Sequence, residues 1–139
     1  MEQSREAMLK TCNAMCKNTL METLEIEFVD ITENTVVARM PVTPRVHQPD
    51  GVLHGGATVA LAESVGSAAS VLFLKEDGVQ IRGIEIAANH VKSIKDGYVY
   101  ATATIVHKGR TTQLWHIPVT NSDKELISLV KLTTICLRK

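Results

Sequence analysis

The chain has 139 residues, 45% hydrophobic and 22% charged, with 15 basic and 15 acidic side chains and no long run of either sign. This is the size and composition of one globular domain, expected to span residues 1–139, and its balanced charge argues against nucleic acid, whose phosphates call for a basic field. No stretch reads as the roughly 20 apolar residues of a membrane helix. The polar segment Met1 to Lys10 has no signal-peptide core, so the expected location is the cytoplasm.

Aromatic residues make up only 4%, so Ala, Val, Leu and Ile must fill the core, and a domain this small gains from oligomerisation. Cys12, Cys16 and Cys136 are an odd set without secretory context, which argues for free buried thiols. No further ligands gather near them, so no metal site is expected.

Arg5 to Asn18 has helical spacing of Met8, Leu9, Cys12, Met15 and Cys16. Leu24 to Ile31 alternates as a strand, and Thr35 to Met40 forms a second after a turn at Thr32-Glu33-Asn34. Pro41 to Gly51, with three prolines, predicts an ordered loop without regular structure. Gly56 to Leu74 is the longest helix, apolar on most sides and therefore buried. Val79 to Ile94 predicts a long strand, with Lys95-Asp96-Gly97 as a hairpin turn into Tyr98 to His107. Lys108-Gly109-Arg110 predicts another hairpin, into Thr111 to Thr120, where Pro118 suggests an edge or a bulge. After a turn at Asn121 to Lys124, Leu126 to Leu137 closes the domain. A single apolar helix with this much antiparallel strand predicts an α+β fold: a sheet wrapped around one long buried helix, with an N-terminal helix outside it.

Glu63 is the anomaly, a carboxylate in the middle of a buried apolar helix, where it is costly unless paired or protonated. Ser67 lies four residues on, on the same face. Gly55-Gly56 open the helix, and free N–H groups at such a terminus favour developing negative charge, as an oxyanion hole requires. Gln48 can donate a hydrogen bond to a carbonyl, and His54 can hold the loop or orient a reacting group. Gly55 and Glu63 are eight residues apart, about 12 Å along a helix. Reacting atoms must approach to about 3.5 Å, so a site using both groups draws them from different subunits.

Gln48, His54-Gly55-Gly56, Glu63 and Ser67, with Glu85-Ile86-Ala87-Ala88-Asn89-His90-Val91-Lys92-Ser93, resemble the hotdog-fold thioesterases. The similarity is to the Arthrobacter-type 4-hydroxybenzoyl-CoA thioesterase branch, and within it to bacterial 1,4-dihydroxy-2-naphthoyl-CoA hydrolases. It runs from about Glu22 to the C-terminus. The resemblance implies Glu63 as nucleophile or general base, Gly55 N–H and Gln48 polarising the thioester carbonyl, and His54 and Ser67 in support. It implies coenzyme A contacts at Gly83, at His90, Val91, Lys92 and Ser93, and at His107, Lys108, Gly109, Arg110, Thr111 and Thr112. The close relatives often carry Gly-Ser-Arg-His where this chain has Gly109-Arg110-Thr111-Thr112, so the basic residue is displaced by one position. The expected assembly is a homodimer at minimum and a homotetramer by pairing of dimers, with no cofactor. The implied reaction is hydrolysis of an aromatic acyl-CoA, with menaquinone biosynthesis as its setting; fatty acyl and carrier-protein thioesters stay open.

Two other classes compete. A non-catalytic acyl-CoA binder would need the pocket but not Glu63. A hotdog dehydratase pairs an acid with a histidine that follows it, whereas His54 precedes Glu63.

Overall fold

The computed structural model describes residues 4–138; Met1 to Gln3, the start of the expected polar N-terminal segment, and Lys139 lie outside the described residues. Helix α1 (Arg5–Met15) is capped by the Ser4 side chain and followed by a single turn, α2 (Leu20–Thr23), capped by Thr19. Strands β1 (Glu27–Ile31) and β2 (Thr35–Pro41) form a hairpin. The long helix α3 (Gly55–Leu74) comes next, then β3 (Val79–His90), β4 (Tyr98–Lys108), β5 (Thr112–Thr120) and β6 (Leu126–Arg138). The six strands form one antiparallel sheet in the order β1-β2-β4-β5-β6-β3.

The sheet takes α3 against one face. Val36, Ala38 and Met40 of β2, Val99, Ala101 and Ala103 of β4, Trp115, Ile117 and Val119 of β5, and Val130 and Leu132 of β6 are all buried. These are alternate residues on each strand, the period-2 pattern of a sheet with one covered face. Leu61, Ala62, Val65 and Ala69 of α3 complete the core. Gly66 brings α3 close to the sheet: a β-carbon there would meet the side chains of Leu132 and Ile117. Contrary to the expectation from the sequence, α3 is long and apolar enough by length and composition to cross a membrane; in the fold it is the core helix. Its opposite side is less covered, with Val71 55% exposed.

Three local expectations are corrected. Lys95-Asp96-Gly97 does turn, with Gly97 at φ +81°, but it does not join a hairpin. β3 ends at His90 and pairs with β6, while β4 lies between β2 and β5, so the connection crosses from the edge of the sheet to its middle. Pro118 sits in a central strand; the β4–β5 pairing lapses between Ala101↔Val119 and Thr104↔His116, which accommodates its missing N–H. The loop after β2 contains a 3-10 turn, Pro44–Val46, and a bridge between His47 and Leu53. Cys12, Cys16 and Cys136 are free and buried as expected, and burial pushes the Cys12 and Cys16 thiols up.

The two sheet edges differ. β1 is short, and Asn13 of α1 occupies its outer side: Asn13 Oδ1 accepts from Phe28 N–H (2.7 Å) and Nδ2 donates to Phe28 O (3.0 Å). β3 is 12 residues long and has no strand on its outer side among the described residues. Ile84 on this strand and Val91 just beyond it are more than half exposed.

Candidate active site

The loop before α3 builds one half of a site. Gln48 N–H donates to Val52 O (2.8 Å), and Gly51, at φ +78°, closes the turn back to Gln48 O. Asp50 N–H donates to Gln48 Oε1. That contact identifies the amide oxygen and leaves the Gln48 NH2 free to donate elsewhere. His54 is the N-cap of α3: its Nδ1 accepts from Gly56 N–H at 2.8 Å. The Gly55 N–H is then the helix-terminal donor without a protein acceptor among the described residues. A cavity of about 300 Å³ holds Gln48, Gly55, His90, Val91, Lys92 and Ser93 together, with Leu53, Thr58, Ile94 and Ile127 as its walls. The His90 ring stands against Gly55, where a β-carbon would lie 2.7 Å from Nε2. The Lys92 ammonium is already engaged by Glu125.

The second half lies elsewhere. Glu63, half-buried on α3, carries its carboxylate over Gly83 of β3, where a β-carbon would displace the carboxylate from this position. A register shift between Gly83 and Glu85 bends β3 at this point. Ser67 follows one turn further along α3, also half-buried.

The hairpin after β4 belongs to this end. Gly109 N–H donates to Thr112 O (2.9 Å) and Cys136 N–H to Thr111 O (2.7 Å). Arg138 Nη1 donates to Arg110 O (2.6 Å), and the same guanidinium pairs bidentately with Glu76 just past α3. Lys108 Nζ donates to Phe73 O (3.1 Å) in the last turn of α3. His107 and Arg110 are exposed. Beneath the hairpin runs a buried chain that sequence reasoning missed. Trp115 Nε1 donates to Ser70 Oγ (2.8 Å), Ser70 and Thr134 hydroxyls meet at 2.8 Å, and Thr134 donates to Gln113 Oε1 (2.9 Å).

Strand register measures how far apart these halves are. His90 pairs with Ser128, whereas Gly83 pairs with Thr134 and Thr112 with Ile135. Ser128 and Ile135 are seven residues apart on β6, about 23 Å at a strand's rise. One subunit therefore gathers Gln48, Gly55 and His90 to Ser93 at one end of β3. It gathers Glu63, Gly83 and the 107–112 segment at the other. It does not bring Gly55 and Glu63 together.

A family model described as the thioesterase superfamily matches residues 50–128. The chain is 40% identical over 133 residues to the 1,4-dihydroxy-2-naphthoyl-CoA hydrolase of Escherichia coli, covering 96% of this chain and 97% of that one. The crystal structure of a Haemophilus influenzae thioesterase matches at a TM-score of 0.90 and 39% identity, over 94% of this chain and 90% of that one. A Staphylococcus aureus thioesterase matches at a TM-score of 0.81 and 39% identity, over 84% and 97% of the two chains. Its solved structures include alanine variants of a glutamine and of a glutamate fifteen positions apart, the separation of Gln48 and Glu63 here. The chain belongs to the thioesterase superfamily. Its six-stranded sheet around a long central helix is the hotdog fold of those enzymes, and it is a thioester hydrolase.

Proposed function

We propose that the protein hydrolyses an aromatic acyl-CoA of the 1,4-dihydroxy-2-naphthoyl type at a site completed by two subunits. The observation that carries this reading is the division of the site between the two ends of β3. That strand is the sheet edge with no further strand outside it among the described residues, and an exposed edge is a template for pairing with another chain. Antiparallel pairing of two β3 edges about a twofold axis sets the His90 end of one subunit beside the Gly83 end of the other. Gln48 and Gly55 of one subunit then face Glu63 of its partner. Pairing of two such dimers would give the tetramer.

In this site the thioester oxygen accepts from Gly55 N–H and the Gln48 amide, which stabilise the charge that develops as the carbonyl carbon becomes tetrahedral. Glu63 either attacks that carbon or takes a proton from the attacking water. In the first route the C–S bond breaks to a CoA thiolate and a mixed anhydride, which water then cleaves to the acid and Glu63. In the second, hydroxide adds directly and the thiolate leaves. The 107–112 hairpin, with His107 and Arg110 exposed, supplies cations and donors for the CoA phosphates. The identity to the E. coli hydrolase supports the aromatic acyl class.

The test is thiol release from aryl-CoA and fatty acyl-CoA thioesters by wild type and Glu63→Ala. Fast release from aryl-CoA with collapse of kcat in the variant is expected. Silence of the wild type, or full activity of Glu63→Ala, would overturn the proposal.

A further inference from the structure

We propose that Ser128 is a positioning residue. It holds His90 as the Nδ1–H tautomer and presents Nε2 to the site as an acceptor for an amide N–H of the substrate's pantetheine arm. This deepens the acyl-CoA reading and rests on it for the ligand.

Ser128 lies on β6 directly opposite His90 and is 0% exposed. Its hydroxyl has two neighbours, Asn89 O at 3.2 Å and His90 Nδ1 at 2.9 Å. A serine hydroxyl has one proton, and a backbone carbonyl can only accept. If the proton went to Nδ1, the contact with Asn89 O would contain no hydrogen. If it goes to Asn89 O, an Oγ lone pair receives Nδ1–H and both contacts are hydrogen bonds. Buried polar groups settle on the arrangement that satisfies them all. A neutral imidazole carries a single N–H, so Nε2 is then bare.

Nε2 is the nitrogen that stands against Gly55 in the cavity. Among the described residues that line the cavity, Lys92 is the titratable side chain besides His90. It is paired with Glu125, and the His54 ring is turned to Gly56 N–H. A lone pair at this position adds nothing to an oxyanion hole, because it would repel the oxygen that Gly55 and Gln48 bind. It needs a donor from the ligand. In a CoA thioester the donor nearest the reacting group is the pantetheine amide two carbons from the sulfur. His90 thus binds the arm while the neighbouring N–H groups bind the carbonyl, and Ser128 keeps the two tasks apart.

The experiment is a ring-nitrogen NMR spectrum of neutral His90 in wild type, Ser128→Ala and Ser128→Thr, beside their kinetics on an aryl-CoA. Wild type and Ser128→Thr are expected as Nδ1–H. Ser128→Ala is expected to shift to Nε2–H and to raise KM about tenfold, the loss of about one hydrogen bond, with kcat near wild type. An Nε2–H wild type, or an Nδ1–H alanine variant, would overturn the tautomer assignment. A fall in kcat with KM unchanged would overturn the pantetheine contact. The tautomer is read without turnover, so failure of the acyl-CoA reading would appear separately, as an inactive wild type with its tautomer still measured.

Discussion

Gly83 gives up its side chain to make room for Glu63: any β-carbon at position 83 would run into the Glu63 carboxylate oxygen. The two residues sit on different elements, α3 and β3, so the sheet sets the position of the acid. Gly83→Ala must therefore displace the carboxylate. A misplacement of this kind costs about a hundredfold in rate. The expected result is a kcat loss of that order with an unchanged melting temperature, read by thiol release and thermal unfolding.

The buried chain Trp115–Ser70–Thr134–Gln113 predicts a stability effect. Ser70→Ala strips Trp115 Nε1 and the Thr134 hydroxyl of a partner in the core, and a buried polar group left unsatisfied costs about 1–3 kcal/mol. Adding Thr134→Val to Ser70→Ala costs less than the sum of the two single changes, because they share a contact. Denaturant unfolding of the two single variants and the double variant checks this.

Arg138 ties the carbonyl of Arg110 to Glu76, and so fixes the hairpin proposed to meet the CoA phosphates. Arg138→Ala is expected to raise KM for a CoA thioester severalfold and to leave KM for the matching pantetheine thioester, which has no nucleotide, unchanged. Equal effects on both substrates would remove the hairpin from phosphate binding.

Two carboxylates contribute to the acid limb of stability. The Arg138 guanidinium holds Glu76 below the usual carboxylate range, and Lys92, helped by Asn121, does the same for Glu125. A depressed folded-state value means that the contribution is complete above the ordinary carboxylate range and is lost as pH falls through the lowered one. Melting temperature should thus be flat near neutrality and fall on acidification. Glu76→Gln and Glu125→Gln should each make that fall shallower, and added salt should weaken both effects because the pairs are exposed.

Local patterning carried much of this fold. The apolar run of α3 and the alternation of β2, β4 and β5 are visible along the chain because each is set by neighbours in sequence. The β3–β4 connection is different: Asp96-Gly97 has hairpin chemistry, but which strand β3 pairs with is decided by long-range packing. Pro118 misleads for the same reason, since an interrupted ladder two strands in from the edge is a tertiary accommodation. Glu63 stands out in the sequence as a charge in an apolar helix. Its counterpart Gly83 could have been read as a glycine inside a strand, a sign of close approach. Ser128 gave no signal, because its part depends on lying across from His90.

In the proposed site, Gln48 and Gly55 come from one subunit and Glu63 from the other. The most direct test is to mix Gln48→Ala and Glu63→Ala proteins, each nearly inactive alone, and let their subunits exchange. Random exchange puts half the chains in mixed dimers, each with one intact site and one doubly damaged site, so about a quarter of wild-type activity should return. No recovery after demonstrated exchange would place both groups in one subunit and contradict the account.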